Sequence, residues 1–130
     1  MDSLYIDKMF KEVDENIVLD DEQKEVVLDE SQNLIVIAGA GTGKTTTISA
    51  KVKYLVDVKK IKPEEILIIS FTNKAITELK NRINIEFKIP AVISTFHKLA
   101  YDMIKEEDQR YKILMRPIFY KYAKESILSF

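Results

Sequence analysis

The stretch Leu34 to Thr47, LIVIAGAGTGKTTT, limits the fold more than any other part of the chain. Five apolar residues, Leu34 to Ala38, predict a short buried strand. A glycine-rich turn follows, and after Lys44-Thr45 a helical pattern begins. The chain has three glycines, and all three (Gly39, Gly41, Gly43) fall in this one turn. Glycine reaches positive φ and carries no Cβ, so backbone N–H groups there can close around an anion. The helix start adds N–H groups without intrahelical partners and the positive end of the dipole. Strand, loop and helix in this order form a phosphate-binding loop. Lys44 would meet the β- and γ-phosphates, and the Thr45 hydroxyl would sit on Mg²⁺. The first position of the loop is Ala38 instead of the usual glycine, so the match is to a relaxed form of G-x-x-x-x-G-K-[ST]. The loop alone does not specify which nucleotide.

The spacing of the other apolar segments extends this unit into an α/β domain. Ile66 to Ser70 reads as a second buried strand, its continuous apolar run suiting a parallel sheet covered on both faces. Pro90 precedes a third strand over Ala91 to Thr95. Strands beginning near residues 34, 66 and 91, with helical patterns between them, are the βαβ repeat of a parallel sheet flanked by helices. Those helices are marked by Ile48, Val52, Leu55 and Val56, by Ala75, Ile76, Leu79 and Ile83, and by Phe96, Leu99, Ala100, Met103 and Ile104. Ahead of the loop, Ile6, Phe10 and Val13 predict an amphipathic helix within 3–14. Asp20 predicts an N-cap for a helix running to about Leu28, with Asp21 and Glu22 in its first turn. Pro63 begins a short turn with Glu64 and Glu65. From Glu106 onward the strand signal stops. Ile118, Phe119, Tyr122, Ala123 and Ile127 then recur at helical spacing behind Pro117 and predict a helical tail.

Ligands of such sheets bind outside the carboxyl ends of the strands. The loop 38–45 and the turns 70–73 and 94–97 are therefore expected at one edge, with Thr72, Asn73, Thr95 and His97 near the nucleotide or beside it. Two segments, IVLDDE over 17–22 and VVLDE over 26–30, imitate a metal-holding strand that ends in Asp-Glu. Both precede the loop and lack an apolar strand of useful length, so neither is taken as a metal site.

Composition excludes several classes. With 130 residues, 46% hydrophobic and 32% charged, the chain suits a soluble globular domain with one modest core. No apolar run is long enough to span a membrane, and MDSLYIDKMFKEV does not read as a signal peptide. There are no cysteines to build a disulfide framework or a Cys-based zinc site. The expected compartment is the cytoplasm. A net charge of −1 argues against coating nucleic acid with the whole surface, though not against a local track. Lys51, Lys53, Lys59, Lys60 and Lys62 read mostly as a solvated helix face.

Three segments in order, AGAGTGKTTT, SFTNKAITELKNRI and ISTFHKLAYDMI, preceded by DDEQKEVV, resemble the start of a UvrD/Rep-type superfamily 1 DNA helicase over roughly residues 19–105. The resemblance implies a partial RecA-like sheet over 1–107 and the start of a helical insertion subdomain over 108–130. It implies that Gln23 reads adenine, a role a side-chain amide can fill by donating and accepting at once. Without the resemblance, Gln23 reads as a surface helix glutamine. Ala38, Gly39, Ala40, Gly41, Thr42, Gly43, Lys44, Thr45 and Thr46 become the ATP loop. Phe71, Thr72, Asn73 and Lys74, together with Phe96 and His97, become contacts to single-stranded DNA. Read from the residues themselves, Phe96 suits core packing equally well, and His97 suits a helix cap as well as a base-stacking platform. Thr72 and Asn73 can both cap a helix and donate to phosphates.

The resemblance further implies 3′ to 5′ movement driven by ATP hydrolysis in the complete motor. The carboxylates that organise Mg²⁺ and water, and the second motor domain, fall outside the matched segments. A fragment that binds ATP without turnover is thus expected, one that self-associates through uncovered strand edges. Two rivals stand beside it. One is a natural non-hydrolysing nucleotide- or DNA-binding module. The other is a small phosphotransferase, disfavoured because the chain has only three arginines, Arg82, Arg110 and Arg116.

Overall fold

The computed structural model describes residues 3–12, 15, 17–39, 41 and 43–107. Val13, Ala40, Thr42 and the helical tail expected over 108–130 lie outside the described residues.

The elements run α1 (Ser3–Lys11), α2 (Asp21–Leu28), α3 (Lys44–Asp57), a 3₁₀ turn (Pro63–Glu65), β1 (Leu67–Ser70), α4 (Asn73–Leu79), a π-helical turn (Lys80–Glu86), β2 (Val92–Thr95) and α5 (Phe96–Glu107). The chain is mixed α/β, with β1 and β2 paired in parallel. Leu67 stands opposite Val92 and Ser70 opposite Thr95. A parallel pair needs a crossover. Here α4 and the π turn provide it, packing on both strands and on α3.

Local chemistry explains most boundaries. Asp20 is extended and caps α2, as expected. The Thr72 hydroxyl accepts from the Ala75 N–H at 3.2 Å and caps α4. Pro63 opens the 3₁₀ turn, where its missing N–H costs nothing. In α3 the Thr47 and Ser49 hydroxyls donate back to the carbonyls of Gly43 and Thr45 at 2.9 and 2.7 Å, which lets both be buried. The π turn ends with Asn84 Nδ2 donating to the carbonyls of Ile89 and Ala91 at 2.8 and 3.2 Å, which sets the entry to β2.

The core joins both halves of the chain. Ile6, Phe10, Val27 and Ile83 are almost wholly buried, and Ile17, Leu19, Ala50, Val52, Leu79, Phe87 and Ile93 pack with them. The Phe10 and Phe87 rings meet at 6.0 Å between centroids, tying α1 to the end of the π turn.

Two expectations are corrected, and one open reading is decided. First, Leu34 to Ala38 forms no strand, and Ile35 and Ile37 are 88% and 96% exposed. A strand exists only where a neighbour completes its ladder. Val36, Ile37 and Ala38 line one cleft together with Ile66, Leu67 and Ile68, so space stands where a ladder to β1 would be. Second, β1 is not covered on both faces. Leu67 and Ile69 are about half exposed while Ile68 is more sheltered, the alternation of a strand packed on one side. Third, of the two readings left open for Phe96 at the start of the α5 stripe, core packing is not the one seen. Phe96 and Met103 are exposed, and Leu99, Ala100 and Ile104 are half-buried.

Candidate functional site

Two glycines set the described part of the cradle-forming motif. Gly43 is the N-cap residue of α3 with φ +80° and ψ +31°, and Gly41 has φ +74°. Both lie in the left-handed region, where a side chain is strained. The Gly43 carbonyl accepts the first helical bond, from the Thr47 N–H at 2.9 Å. The amides of Lys44, Thr45 and Thr46 therefore precede the first helical donor, the Thr47 N–H, and have no intrahelical acceptor at the positive end of the dipole. The Lys44 side chain is exposed, and Thr45 and Thr46 are half-buried.

A cleft of about 930 Å³ opens over this cradle, lined by Gly39, Gly41, Lys44 and Thr47 from the loop and helix and by Asp20, Glu22 and Gln23 from α2. Gln23 is drawn into it by its neighbours. The Gln23 N–H donates to Asp20 Oδ1 at 2.8 Å, and Gln23 Oε1 accepts from the Asp20 N–H at 3.0 Å, a reciprocal capping box. With its oxygen turned toward Asp20, the amide presents its Nε2 to the loop. A Cβ on Gly43 would stand 2.6 Å from that nitrogen. The Asp-x-x-Gln spacing was the signal for this box, and reading only Asp20 as the cap missed it.

The arrangement suits a phosphorylated ligand: two left-handed glycines, a helix start and an exposed lysine on one side, an amide on the other. Among the described residues no group of three or more His, Cys, Asp or Glu could hold a metal ion. A magnesium ion carried in on phosphates, needing only a hydroxyl from the protein, is compatible with that donor set.

The second group of expected residues sits apart from this cleft. Because β1 and β2 are parallel and in register, Ser70 and Thr95 end at the same edge. Phe71 follows there, 80% exposed, with Thr72, Asn73 and Lys74 exposed beyond it. Phe96 is 44% exposed, and its ring meets that of His97 edge-on at 6.2 Å. The helix-cap role open to His97 is taken by Thr95, whose Oγ1 accepts from the Lys98 N–H at 3.2 Å. The turns after β1 and β2 therefore share an edge, as expected of those two, but none of Phe71, Thr72, Asn73, Lys74, Phe96 or His97 lines the cleft over the loop.

The lysines after the loop are less solvated than expected. Lys51 Nζ donates to the carbonyls of Val27, at 2.9 Å, and Asp29. Burial lowers its pKa, opposed by the charges of Asp29 and Glu30. Lys53 pairs with Asp57 at 2.7 Å and lies 5.5 Å from the Phe87 ring centroid. Lys59 pairs with Glu30, and that hydrogen bond raises the lysine and lowers the carboxyl. Asp29 is lowered by its hydrogen bonds from Ser31, whose N–H lies at 2.8 Å. Of the five lysines, Lys60 and Lys62 keep to the expectation of a solvated face, and Lys59 is exposed but paired.

Comparison with known proteins agrees with these segments. Residues 19–129 match the UvrD/REP helicase N-terminal domain. A probable DNA helicase II homolog of Mycoplasma capricolum is 45% identical over 92 residues, 68% of this chain and 13% of that protein. The ATP-dependent DNA helicase Rep of Buchnera aphidicola is 40% identical over 77 residues, 56% of this chain and 12% of the relative. The ATP-dependent DNA helicase PcrA of Staphylococcus epidermidis is 36% identical over 95 residues, 71% of this chain and 13% of the relative. The chain thus spans about an eighth of the length of the curated relatives it matches.

Proposed function

Because the chain belongs to the UvrD/REP helicase N-terminal domain family, we propose that it is the ATP-gripping part of an ATP-dependent DNA helicase that moves 3′ to 5′ along single-stranded DNA. The observation that carries this reading is the convergence of Gly39, Gly41, Lys44 and Gln23 on one cleft. Lys44 neutralises phosphate charge as it accumulates. The backbone of Ala38, Gly39, Ala40, Gly41, Thr42 and Gly43 cradles the phosphates, with Thr46 on the first helical turn behind it. Thr45 would offer its hydroxyl to Mg²⁺, which when bound would help neutralise the phosphate charge. Gln23 selects adenine. Phe71, Thr72, Asn73 and Lys74, with Phe96 and His97, hold the DNA strand at the neighbouring sheet edge through phosphate contacts and stacking.

Residues 1–107 form the motor part in this reading, and 108–130 begin a helical insertion. The protein works in the cytoplasm. These 130 residues bind ATP·Mg²⁺ with little turnover, since hydrolysis also needs a carboxylate for water and metal. Exposed Ile35 and Ile37 and the open face of β1 favour self-association of the isolated chain. Calorimetry with ATP·Mg²⁺, with and without a short single strand, tests the reading. Lys44→Ala is expected to abolish nucleotide binding with the melting temperature retained. Unchanged ATP affinity in that variant would refute the loop assignment.

A further inference from the structure

The helix that carries Gln23 is held from the far end by Lys51. α2 has only eight residues, too few to be stable alone, and no basic residue in its last turn. Its C-terminal carbonyls need partners and its dipole needs a positive charge there. Both come from α3. Lys51 Nζ donates to the carbonyls of Val27 and Asp29, and it lies 5.8 Å from the centroid of the Tyr54 ring on its own helix. Val27 itself is fully buried. At the other end of α2, Gln23 Nε2 rests against Gly43, the N-cap of the same α3. Beyond their packed apolar faces, the two helices are joined at two polar points, once at the loop and once about 10 Å away, the rise of α3 from Lys44 to Lys51. The loop joint is soft, an amide against a glycine. The Lys51 joint is charge-assisted and partly desolvated, and it is the firmer of the two.

We infer that Lys51 is a positioning residue for base recognition: by fastening α2 to α3, it sets the distance between the Gln23 amide and the phosphate loop. On the ATP-site reading the triphosphate is held by α3 and its loop, and the base by Gln23 on α2. Lys51 also lines the cleft, but its Nζ is engaged by the Val27 and Asp29 carbonyls, so it acts on the base through α2 and not on the phosphates directly. This inference rests on the ATP-site reading above.

The test measures binding of ATP·Mg²⁺, GTP·Mg²⁺ and inorganic tripolyphosphate by calorimetry, with melting temperatures, for the 130-residue chain and its variants. Lys51→Met is expected to cut the preference for ATP over tripolyphosphate about tenfold, with tripolyphosphate affinity held within about twofold. Lys51→Arg, which keeps the charge and two donors, restores the preference. Lys51→Met adds nothing in a Gln23→Ala background, because both act on one contact. Three results overturn the inference: an intact preference in Lys51→Met, an equal loss of ATP and tripolyphosphate, or full additivity with Gln23→Ala. If Lys51→Met does not fold, Lys51→Gln is judged by the same criteria; failure of both to fold would make Lys51 a structural residue and overturn the inference. The underlying reading fails separately, and takes the inference with it, if the unmodified chain shows no preference for ATP or if Gln23→Ala keeps that preference.

Discussion

Replacing Gly43 with alanine tests whether the loop and α2 are mechanically joined. Gly43 sits at φ +80° and ψ +31°, and forcing an L side chain into that conformation costs about 1 kcal/mol. The new methyl would also stand 2.6 Å from Gln23 Nε2. That nitrogen is the tip of a flexible side chain, so it moves away and the clash itself is nearly free. The cost lies in what moves with it. Gln23 Oε1 accepts from the Asp20 N–H at 3.0 Å, and a displaced amide gives up that bond, worth about 1 kcal/mol. Asp20 Oδ1 still accepts from the Gln23 N–H, so α2 keeps the other half of its cap. The expected total is about 2 kcal/mol, a fall of roughly 7 °C in melting temperature for a domain of this size. In a Gln23→Ala background the bond is already gone, and Gly43→Ala should cost only the backbone strain of about 1 kcal/mol. Urea titrations of the four proteins give the coupling directly. Equal costs in both backgrounds, within about 0.3 kcal/mol, would refute the joint between Gln23 and Gly43.

Two further outcomes follow from the same geometry. Asp29 is held below the ordinary carboxylate range by Ser31, and Glu30 by Lys59. Their folded values lie below their unfolded ones, so the stability they contribute is present above the ordinary carboxylate range and is lost as pH falls through the folded values. Thermal melts in acid should decline less steeply for Asp29→Asn/Glu30→Gln than for the parent, and identical acid slopes would remove these two groups from the account. Separately, Ile35→Ser/Ile37→Ser should shift the isolated chain toward monomer in light scattering at high concentration without lowering its melting temperature, because both side chains are almost fully exposed. An unchanged particle mass would locate any association elsewhere.

The features legible in the sequence were those set by neighbours a few residues away. The N-cap at Asp20, the turn at Pro63 and the left-handed conformations of Gly41 and Gly43 are local rules, and the structure follows them. Periodicity placed α3, β1 and β2 within a residue or two, whereas the helix expected through Ile83 ends at Leu79 and widens into a π turn that had no recognised signal. What could not be read depends on distant partners. Leu34 to Ala38 has strand composition, but a strand is a relation between two segments, and β1 stands across a cleft instead of beside it. Lys51 looked like one lysine among several because its acceptors, the Val27 and Asp29 carbonyls, lie more than twenty residues away. A free backbone carbonyl leaves no mark in a sequence.

The same distinction separates the two parts of the candidate site. At the strand edge, Thr72 caps α4 and Thr95 caps α5, each through its own hydroxyl. The parallel register of β1 and β2 brings both helix starts to one side, so exposed Phe71 and Phe96 are delivered there by local caps and a single long-range pairing. At the cleft, the loop needs only its glycines and helix, but base recognition needs α2 to be held against α3. Phosphate binding should therefore survive perturbations of α2 that abolish nucleotide discrimination. The strand edge should respond to neither, because no residue of the Phe71–Lys74 turn and neither Phe96 nor His97 touches the cleft.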